Sequence, residues 1–355
     1  MRAEMARSDL NVLCWEGYDY PALLEPFAAE HGITVRGEAH VSDAGTVERL
    51  VGPEAGAWDI VNLNNPFARD VLHPQGLIRE LDGDRFGVCM AGWLPQFADL
   101  YQWAKDGDGS ALIGICQRFG PFNLVINSDR VSCDVAEDQG YHLVDDSRHG
   151  GRYGILEYDD FNVFHICIGA GLDPFELKSA SDLDEFSTTA RRWFEGAAMA
   201  TTDHIVMNRA LVDGEIDFYL SGGVFSASPA RLDGHHNIQA ITPKRGPIDG
   251  KGGIVFAEVT SVLASEASPA LAEDFLDYLL RPDVAVSVAL SEGTVNPVVQ
   301  MANPSVMAAF SADHLAAIQW DTLEEDISRC AHYRVAPSYD VLFERLSQAK
   351  AAALE

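Results

Sequence analysis

Short apolar segments alternate with helix-like segments through the first third of the chain, and no other feature constrains the fold as strongly. LNVLCW (10–15) is followed by PALLEPFAAEHG (21–32), ITVRGEAHV (33–41), the short helix GTVERLVG (45–52) and WDIVNLN (58–64). Strands that alternate with helices predict βαβ units and a mainly parallel sheet. In such sheets ligands bind at the carboxyl ends of the strands, so residues just after the strands are candidate binding residues.

A second alternating region predicts a second lobe. Two long apolar runs, IGICQRFGPFNLVIN (113–127) and GGIVFAEVTSVLA (252–264), flank it, and one helix is predicted over residues 271–293. A chain that leaves one lobe, builds another and returns makes two lobes joined by two crossings, an architecture with a cleft and a hinge. A length of 355 residues fits two lobes of ordinary size.

The charge balance excludes two classes of partner. There are 25 basic and 54 acidic residues, a formal charge of -29, which repels phosphate backbones and anionic lipid head groups. Nucleic acid and membrane surfaces are therefore not expected partners. The same field attracts cations, although acidity spread over a whole surface is also typical of adaptation for solubility or salt.

The sequence leaves the cellular compartment of the protein open. No apolar stretch approaches the roughly 20 residues that span a bilayer, and the start, MRAEMARSDLNV, has no signal-peptide pattern. The chain is therefore either cytosolic or a mature form whose signal peptide has been removed. The cysteines show no CxxC pair or zinc-like spacing, which predicts buried thiols or at most one or two disulfides. They are Cys14, Cys89, Cys116, Cys133, Cys167 and Cys330.

Catalytic and metal-binding signatures are missing. There is no GxSxG elbow, Walker loop, HExxH motif or dinucleotide fingerprint after a strand, so no enzyme activity and no cofactor are predicted. The pair His235-His236 lies in a predicted loop without matching carboxylate or cysteine spacing, which favours exposure over metal binding. Glu215 and Asp217, in VDGEIDFYL, are predicted to be structural.

The acidic pair Asp159-Asp160 has two interpretations. Because it precedes a helix, the pair can cap that helix. Because it follows a strand, it can also present a carboxylate to a ligand. The sequence does not choose between them.

Together these segments resemble the extracellular solute-binding proteins of ABC transporters, of the type II, spermidine/putrescine-binding branch. The segments that carry the resemblance keep the family's order over roughly residues 9–300, and DYLLRPDVAVSVALSEGTVNPV (277–298) is the most diagnostic. The others are WEGYDYPALLEPFAAEHGITV, WDIVNLNNPFARDVLHPQGLIREL, FGPFNLVIN, YDDFNVFH, GEIDFYLSGG and GGIVFAEVTSVLA.

The resemblance implies a fold and a role. The fold is α/β, a two-lobed type II periplasmic-binding-protein fold whose lobes are mainly parallel sheets flanked by helices and joined by two crossing strands. Lobe 1 is expected over 9–118 and 253–300, and lobe 2 over 119–252 and 301–355, with the C-terminal helices near the hinge. The role is to close on a small cationic amine such as putrescine or spermidine and deliver it to an inner-membrane permease. A periplasmic monomer is expected.

The resemblance also implies ligand-binding residues, position by position. They include aromatic positions and carboxylates that can attract and hold an ammonium group. Phe256 and Glu258 alternate along one strand, so both side chains face the same way. The matched positions are Trp15, Glu16, Tyr18, Asn64, Asn65, Phe119, Asp160, Leu220, Phe256 and Glu258.

Departures from the family pattern suggest a different ligand. Gly17 stands where the branch has an acid before the tyrosine, Leu220 where it has a tryptophan, and Val163 where it has the second acid of the second-lobe turn. Arg118, beside Phe119, can bind a carboxylate or phosphonate through two N–H groups. A shorter amine, or a zwitterion such as an amino acid, a betaine or an aminophosphonate with its acidic end on Arg118, is the alternative to a polyamine.

Two other functions are possible on such a fold. An enzyme or a ligand sensor can use the same architecture, but the sequence offers neither a catalytic motif nor a fused DNA-binding or membrane segment. An iron-binding relative would need paired tyrosines in the second lobe, where Tyr219 stands alone. The sequence therefore favours a transport receptor over both of these functions.

Overall fold

The alternating segments build two separate units. The computed structural model describes residues 9–87, 93–94, 104–105, 107, 109, 111–265 and 271–353, so Cys89 lies outside the described residues. Unit 1 comprises Met1–Phe119 and Ala257–Ser311, and unit 2 comprises Gly120–Phe256 and Ala312–Glu355.

The described strands are short, except for the two apolar runs near the unit boundaries. They are β1 (Asp9–Trp15), β2 (Thr34–His40), β3 (Ile60–Asn64), β4 (Ile115–Asn127), β5 (Tyr153–Leu156), β6 (Met199–Thr201), β7 (Phe218–Gly223), β8 (Ile238–Ile241), β9 (Gly253–Val262) and β10 (Cys330–His332).

Helices separate most of these strands. They are α1 (Pro21–His31), α2 (Asp43–Val51), α3 (Gly83–Gly87), α4 (Cys133–Gln139), α5 (Asp159–Gly169), α6 (Ala180–Gly196), α7 (His204–Val212), α8 (Val224–Leu232), α9 (Leu271–Leu279), α10 (Pro282–Ala289), α11 (Pro304–Met307), α12 (Ala312–Ala317), α13 (Leu323–Ser328) and α14 (Tyr339–Ala353). A short π-helix spans Phe67–Leu72.

The sheet of unit 1 is mainly parallel. Strand β1 pairs with β2 and β3 in parallel, and β3 pairs with β9 in antiparallel. The carboxyl ends of the three parallel strands therefore lie at one edge of the sheet, where the strands finish at Trp15, His40 and Asn64. Within the antiparallel pair, Glu258 of β9 lies directly opposite Asn64. Side chains of directly paired residues share one face of a sheet.

Helix α1 ends where the sequence predicts. Pro21 begins the helix, a position at which its missing N–H costs nothing. Gly32 follows the last turn in the left-handed conformation, with φ 64°, which glycine adopts without a Cβ clash. The apolar face of the helix buries Leu23, Leu24 and Phe27.

The predicted single helix over residues 271–293 is wrong. Helix α9 ends at Leu279 and α10 begins at Pro282, with Arg281 between them in an extended conformation. The proline ring disfavours the helical conformation in the residue before it, and proline has no N–H to continue the hydrogen-bonding ladder.

The sheet of unit 2 combines both strand directions. Strand β4 pairs in antiparallel with β7 and β8, whereas β5 lies parallel between β7 and β6. The core holds large buried side chains, among them Phe164, Trp193 and Tyr219. The predicted helix end, turn and buried strand in VDGEIDFYL are confirmed by α7 and β7. Asp217 binds His149 and Arg152 within this unit, in agreement with its predicted structural role.

No helix in the described part of the chain combines the length and the apolar character needed to cross a membrane.

Candidate functional site

A buried carboxylate organises the edge of unit 1 where the parallel strands end. Trp15 donates its indole N–H to Oδ1 of Asp43 at 3.0 Å. Asn64 donates to the same carboxylate through its backbone N–H at 3.0 Å and through its side-chain Nδ2 at 2.7 Å. Asp43 has no exposed surface. It therefore fixes the orientation of two residues that the sequence predicts for ligand binding.

Sequence reasoning missed Asp43 because it stands at the start of α2, where an acidic residue is usually interpreted as part of the helix N-terminus. The actual N-cap is Ser42, whose side chain accepts the N–H of Gly45. The usable signal was position, since Asp43 follows β2 at the edge to which β1 and β3 also deliver their ends.

Three buried acceptor atoms at this edge have no hydrogen-bond partner among the described residues. They are His40 Nδ1, Asn64 Oδ1 and Asn65 Oδ1. His40 Nε2 lies 2.8 Å from the carbonyl oxygen of Asn62, so Nε2 carries the proton and Nδ1 accepts. Burial lowers the pKa of His40 to about 4, which keeps the ring neutral near pH 7. Buried acceptors of this kind call for N–H or O–H donors from a ligand or from water.

A second cluster in unit 1 is built around Arg118. Its Nε donates to Oε2 of Glu258 at 2.8 Å, and its Nη2 donates to the backbone carbonyl of Glu16 at 2.8 Å. The side chains of Arg118 and Glu258 are only 6% and 9% exposed. The guanidinium carbon lies 4.3 Å from the centroid of the Tyr18 ring, within the range of a cation–π interaction. The structure therefore pairs two predicted ligand-binding residues with each other.

The electrostatics of this cluster follow from burial and pairing. Burial raises the pKa of Glu258, and Arg118 opposes that rise. Burial alone would lower the pKa of Arg118, but Glu258 and Tyr18 raise it above its usual range. Burial, followed by the charge of Glu258, raises the pKa of Tyr18 well above 10.0. The cluster is therefore an ion pair beside a neutral phenol.

Gly17 makes room for this cluster. Its φ is 92°, and a Cβ at this position would lie 2.5 Å from Ser291 Oγ and 3.1 Å from Arg118 Nη1. At the position where the resemblance implies an acid, a glycine thus stands beside a guanidinium. Asp19, two residues later, accepts the N–H of Gly17 at 3.2 Å. Phe119 is buried, and its N–H donates to the carbonyl of Pro297 at 3.2 Å.

The predicted residues of unit 2 lie on α5 and on two strands. Asp160, in the first turn of α5, is 2% exposed and accepts a hydrogen bond from the hydroxyl of Tyr339. Asp159 forms an ion pair with Lys350 at 2.9 Å. The helix-cap interpretation of the acidic pair is wrong, because the N-cap residue is Tyr158, without a side-chain cap. Asp160 and Tyr339 form the polar part of this region.

Aromatic rings form the apolar part. The ring of Phe256 lies 6.2 Å from that of Phe122 and 6.1 Å from that of Phe161, both nearly edge-to-face. Leu220 has no exposed surface and lies in β7 with Leu124 of β4 and Ile155 of β5 as its cross-strand neighbours. Phe256 is 6% exposed, so of these two predicted residues it has the more accessible side chain.

Thiols and histidines offer no metal centre in the parts of the chain that are described. No group of three or more His, Cys, Asp or Glu side chains there is placed to hold an ion. His235 and His236 are exposed. The five described cysteines are free thiols, so no disulfide joins them. Tyr219 is buried and bonds to Ser226 and Asn208, which leaves it in the core.

Comparison with known proteins shows which proteins the chain resembles. No protein-family model matches the chain. The chain is 24% identical over 293 residues to the spermidine/putrescine-binding periplasmic protein of Escherichia coli K12, covering 80% of this chain and 76% of that protein. The chain is therefore similar in sequence to the spermidine/putrescine-binding periplasmic proteins of ABC transporters, and the predicted resemblance to this branch is confirmed.

Solved structures agree on the fold. The Tp0655 (TpPotD) lipoprotein of Treponema pallidum has a TM-score of 0.71 at 12% identity, covering 97% of this chain and 99% of that one. AgtB of A. tumefaciens R10, solved with agropinic acid, has a TM-score of 0.59 at 14% identity, covering 97% of each chain. The predicted two-lobed α/β fold is confirmed. The E. coli relative is named as a binding protein, in agreement with the prediction that this protein is not an enzyme.

Proposed function

We propose that this substrate-binding protein captures a small organic solute that carries an amine, in the periplasm, and delivers it to a membrane permease. The observation that carries the proposal is the set of unpaired acceptors, Asn64 Oδ1 and Asn65 Oδ1, at the edge of unit 1 where Trp15 ends its strand. Amide oxygens accept ammonium N–H groups, and an aromatic face attracts a cation. The name of the E. coli relative, a spermidine/putrescine-binding periplasmic protein, supports an amine solute and a periplasmic location.

Unit 2 supports the proposal independently. Asp160 is a buried carboxylate near the start of a helix, and the Tyr339 hydroxyl bonds to it. A carboxylate oriented in this way can accept charge-assisted hydrogen bonds from an ammonium group. The bound solute would stabilise the conformation of the monomeric protein for which it has the higher affinity.

A second class of solute has its own support. Glu258, matched by resemblance to an ammonium-binding carboxylate, is occupied by Arg118. A zwitterion, with an acidic group as well as an amine, would suit this arrangement better than a polyamine. The neighbour solved with agropinic acid supports a wider range of solutes on this fold.

Thermal-shift and calorimetric titrations test the proposal. Putrescine, spermidine, agmatine, betaines, amino acids and aminophosphonates would be tested at low and high salt, since a bound solute stabilises the native state by mass action. We expect at least one amine-bearing solute to bind the wild-type protein and to bind Asp160→Asn at least about tenfold more weakly. Asp134→Asn, an exposed acid in the first turn of α4, is the matched control and should bind normally. Absence of binding across the whole panel would contradict the proposed function.

A further inference from the structure

The groups around Arg118 are those that recognise an organic cation. A guanidinium here meets a carboxylate from Glu258, a backbone carbonyl from Glu16 and the aromatic face of Tyr18. Carboxylates and carbonyls accept cationic N–H groups, and aromatic faces attract positive charge. In this chain the cation that these groups bind is the guanidinium of Arg118, which belongs to the protein itself.

The pairing is built into the fold. Arg118 and Glu258 are both almost fully buried, and a buried charge without a partner is strongly unfavourable. Gly17 lets the turn pass close to Arg118, since a Cβ there would lie 3.1 Å from Arg118 Nη1. Any acid at position 17 would compete for the same space.

We infer that Arg118 is a resident cation that takes the place of a solute ammonium group in unit 1. The inference rests on the proposed function and narrows its substrate class. Glu258 is neutralised by the protein, so a second ammonium group of a diamine finds no free carboxylate in this cluster. Arg118 Nη1, which makes no hydrogen bond to the described residues, is left to bind a solute carboxylate. The preferred solute therefore has one amine and one acidic group.

Matched pairs of solutes test the inference on the wild-type protein. Linear ω-amino acids of three to six carbons would be titrated beside the α,ω-diamines of the same length, for instance 4-aminobutanoate beside putrescine. We expect the amino acid of the best-binding length to bind about tenfold or more tightly than its diamine. A diamine that binds more tightly than its amino acid would overturn the inference while leaving the proposed function intact. Failure of both series and of the wider panel would instead overturn the proposed function.

Removing the resident cation should invert the preference. In Arg118→Ala, Glu258 is freed, so we expect the diamine to bind about tenfold more tightly than the amino acid. Ethylguanidinium should also bind this variant and raise its Tm, but should not raise the Tm of the wild type or of Arg118→Ala/Glu258→Gln. Arg118→Gln, which keeps a polar side chain, is the second variant if the alanine protein does not fold. A folded variant with unchanged solute preference and no response to ethylguanidinium would contradict the inference.

Discussion

Trp15 and Asp43 are joined by an indole–carboxylate hydrogen bond of 3.0 Å, in which a residue at the end of β1 is held by one at the start of α2. Because Asp43 also accepts two hydrogen bonds from Asn64, the geometry of both residues depends on a side chain that has no exposed surface.

Replacing that carboxylate should cost stability and binding together. Asp43→Ala would leave three buried donors without their acceptor, each an unfavourable loss. We expect the free energy of unfolding to fall by about 3 kcal/mol in denaturant titrations, with weaker solute binding in calorimetry. Glu48→Ala, at an exposed position of the same helix, is the control and should change the unfolding free energy by less than about 0.5 kcal/mol. Equal effects of the two substitutions would show that Asp43 does not organise this edge.

The buried Arg118–Glu258 pair should show strong coupling. Glu258→Gln leaves the Arg118 charge buried without its counterion and should cost about 3–5 kcal/mol of unfolding free energy, whereas Arg118→Met/Glu258→Leu should recover much of that loss. The exposed pair Arg281–Glu30, whose side chains are 45% and 47% exposed, is the matched control. Its double-mutant cycle should give a coupling of less than about 1 kcal/mol that falls with added salt. Similar coupling energies for the two pairs would contradict this prediction.

Crowding at Gly17 can be separated from its backbone conformation. Gly17 and Gly32 both have positive φ, but a Cβ on Gly32 would have no heavy atom within 4 Å, whereas one on Gly17 would lie 2.5 Å from Ser291 Oγ. Gly32→Ala should therefore cost about 1 kcal/mol, and Gly17→Ala roughly 1–3 kcal/mol more. Thermal unfolding of both variants measures the difference. Ser291→Gly should restore part of the loss in Gly17→Ala; if it restores none, contact with Ser291 is not the cause.

The buried imidazole of His40 should make stability depend on pH. Its pKa is lowered by burial from 6.5 to about 4, so in the unfolded chain it takes up a proton below pH 6.5 while the folded protein does so only near pH 4. Acidification through this window therefore favours unfolding. We expect the stability advantage of wild type over His40→Gln to shrink by roughly 3 kcal/mol between pH 7 and pH 4. His235→Gln, at an exposed loop position, should show no comparable change. A His40 difference that is constant with pH would refute the prediction.

The periodic parts of the fold could be predicted from the sequence. Strands β1 and β3 and helix α1 follow from apolar runs, from Pro21 and from Gly32, because those signals act within a few residues. The interruption at Pro282 was also a local signal, but the continuous apolar pattern on both sides favoured a single helix.

The candidate binding residues were predictable as single positions, but their pairings were less predictable. Arg118 and Glu258 were both identified, yet each was expected to hold a solute, whereas they bind each other across 140 positions of sequence. Asp43 and Tyr339 were missed because their contacts with Trp15 and Asp160 come from register and helix packing. Such long-range pairings carry no sequence periodicity.

Strand direction divides the edge of unit 1 into fixed and variable parts. Trp15 and Asn64 close parallel strands and Asn65 follows one, whereas Glu258 comes from the middle of the antiparallel β9. Insertions in the turns after β1 and β3 can therefore alter the shape offered to a solute while the acid stays in place. A change of loop length or loop composition would then shift the solute preference without moving the carboxylate on β9.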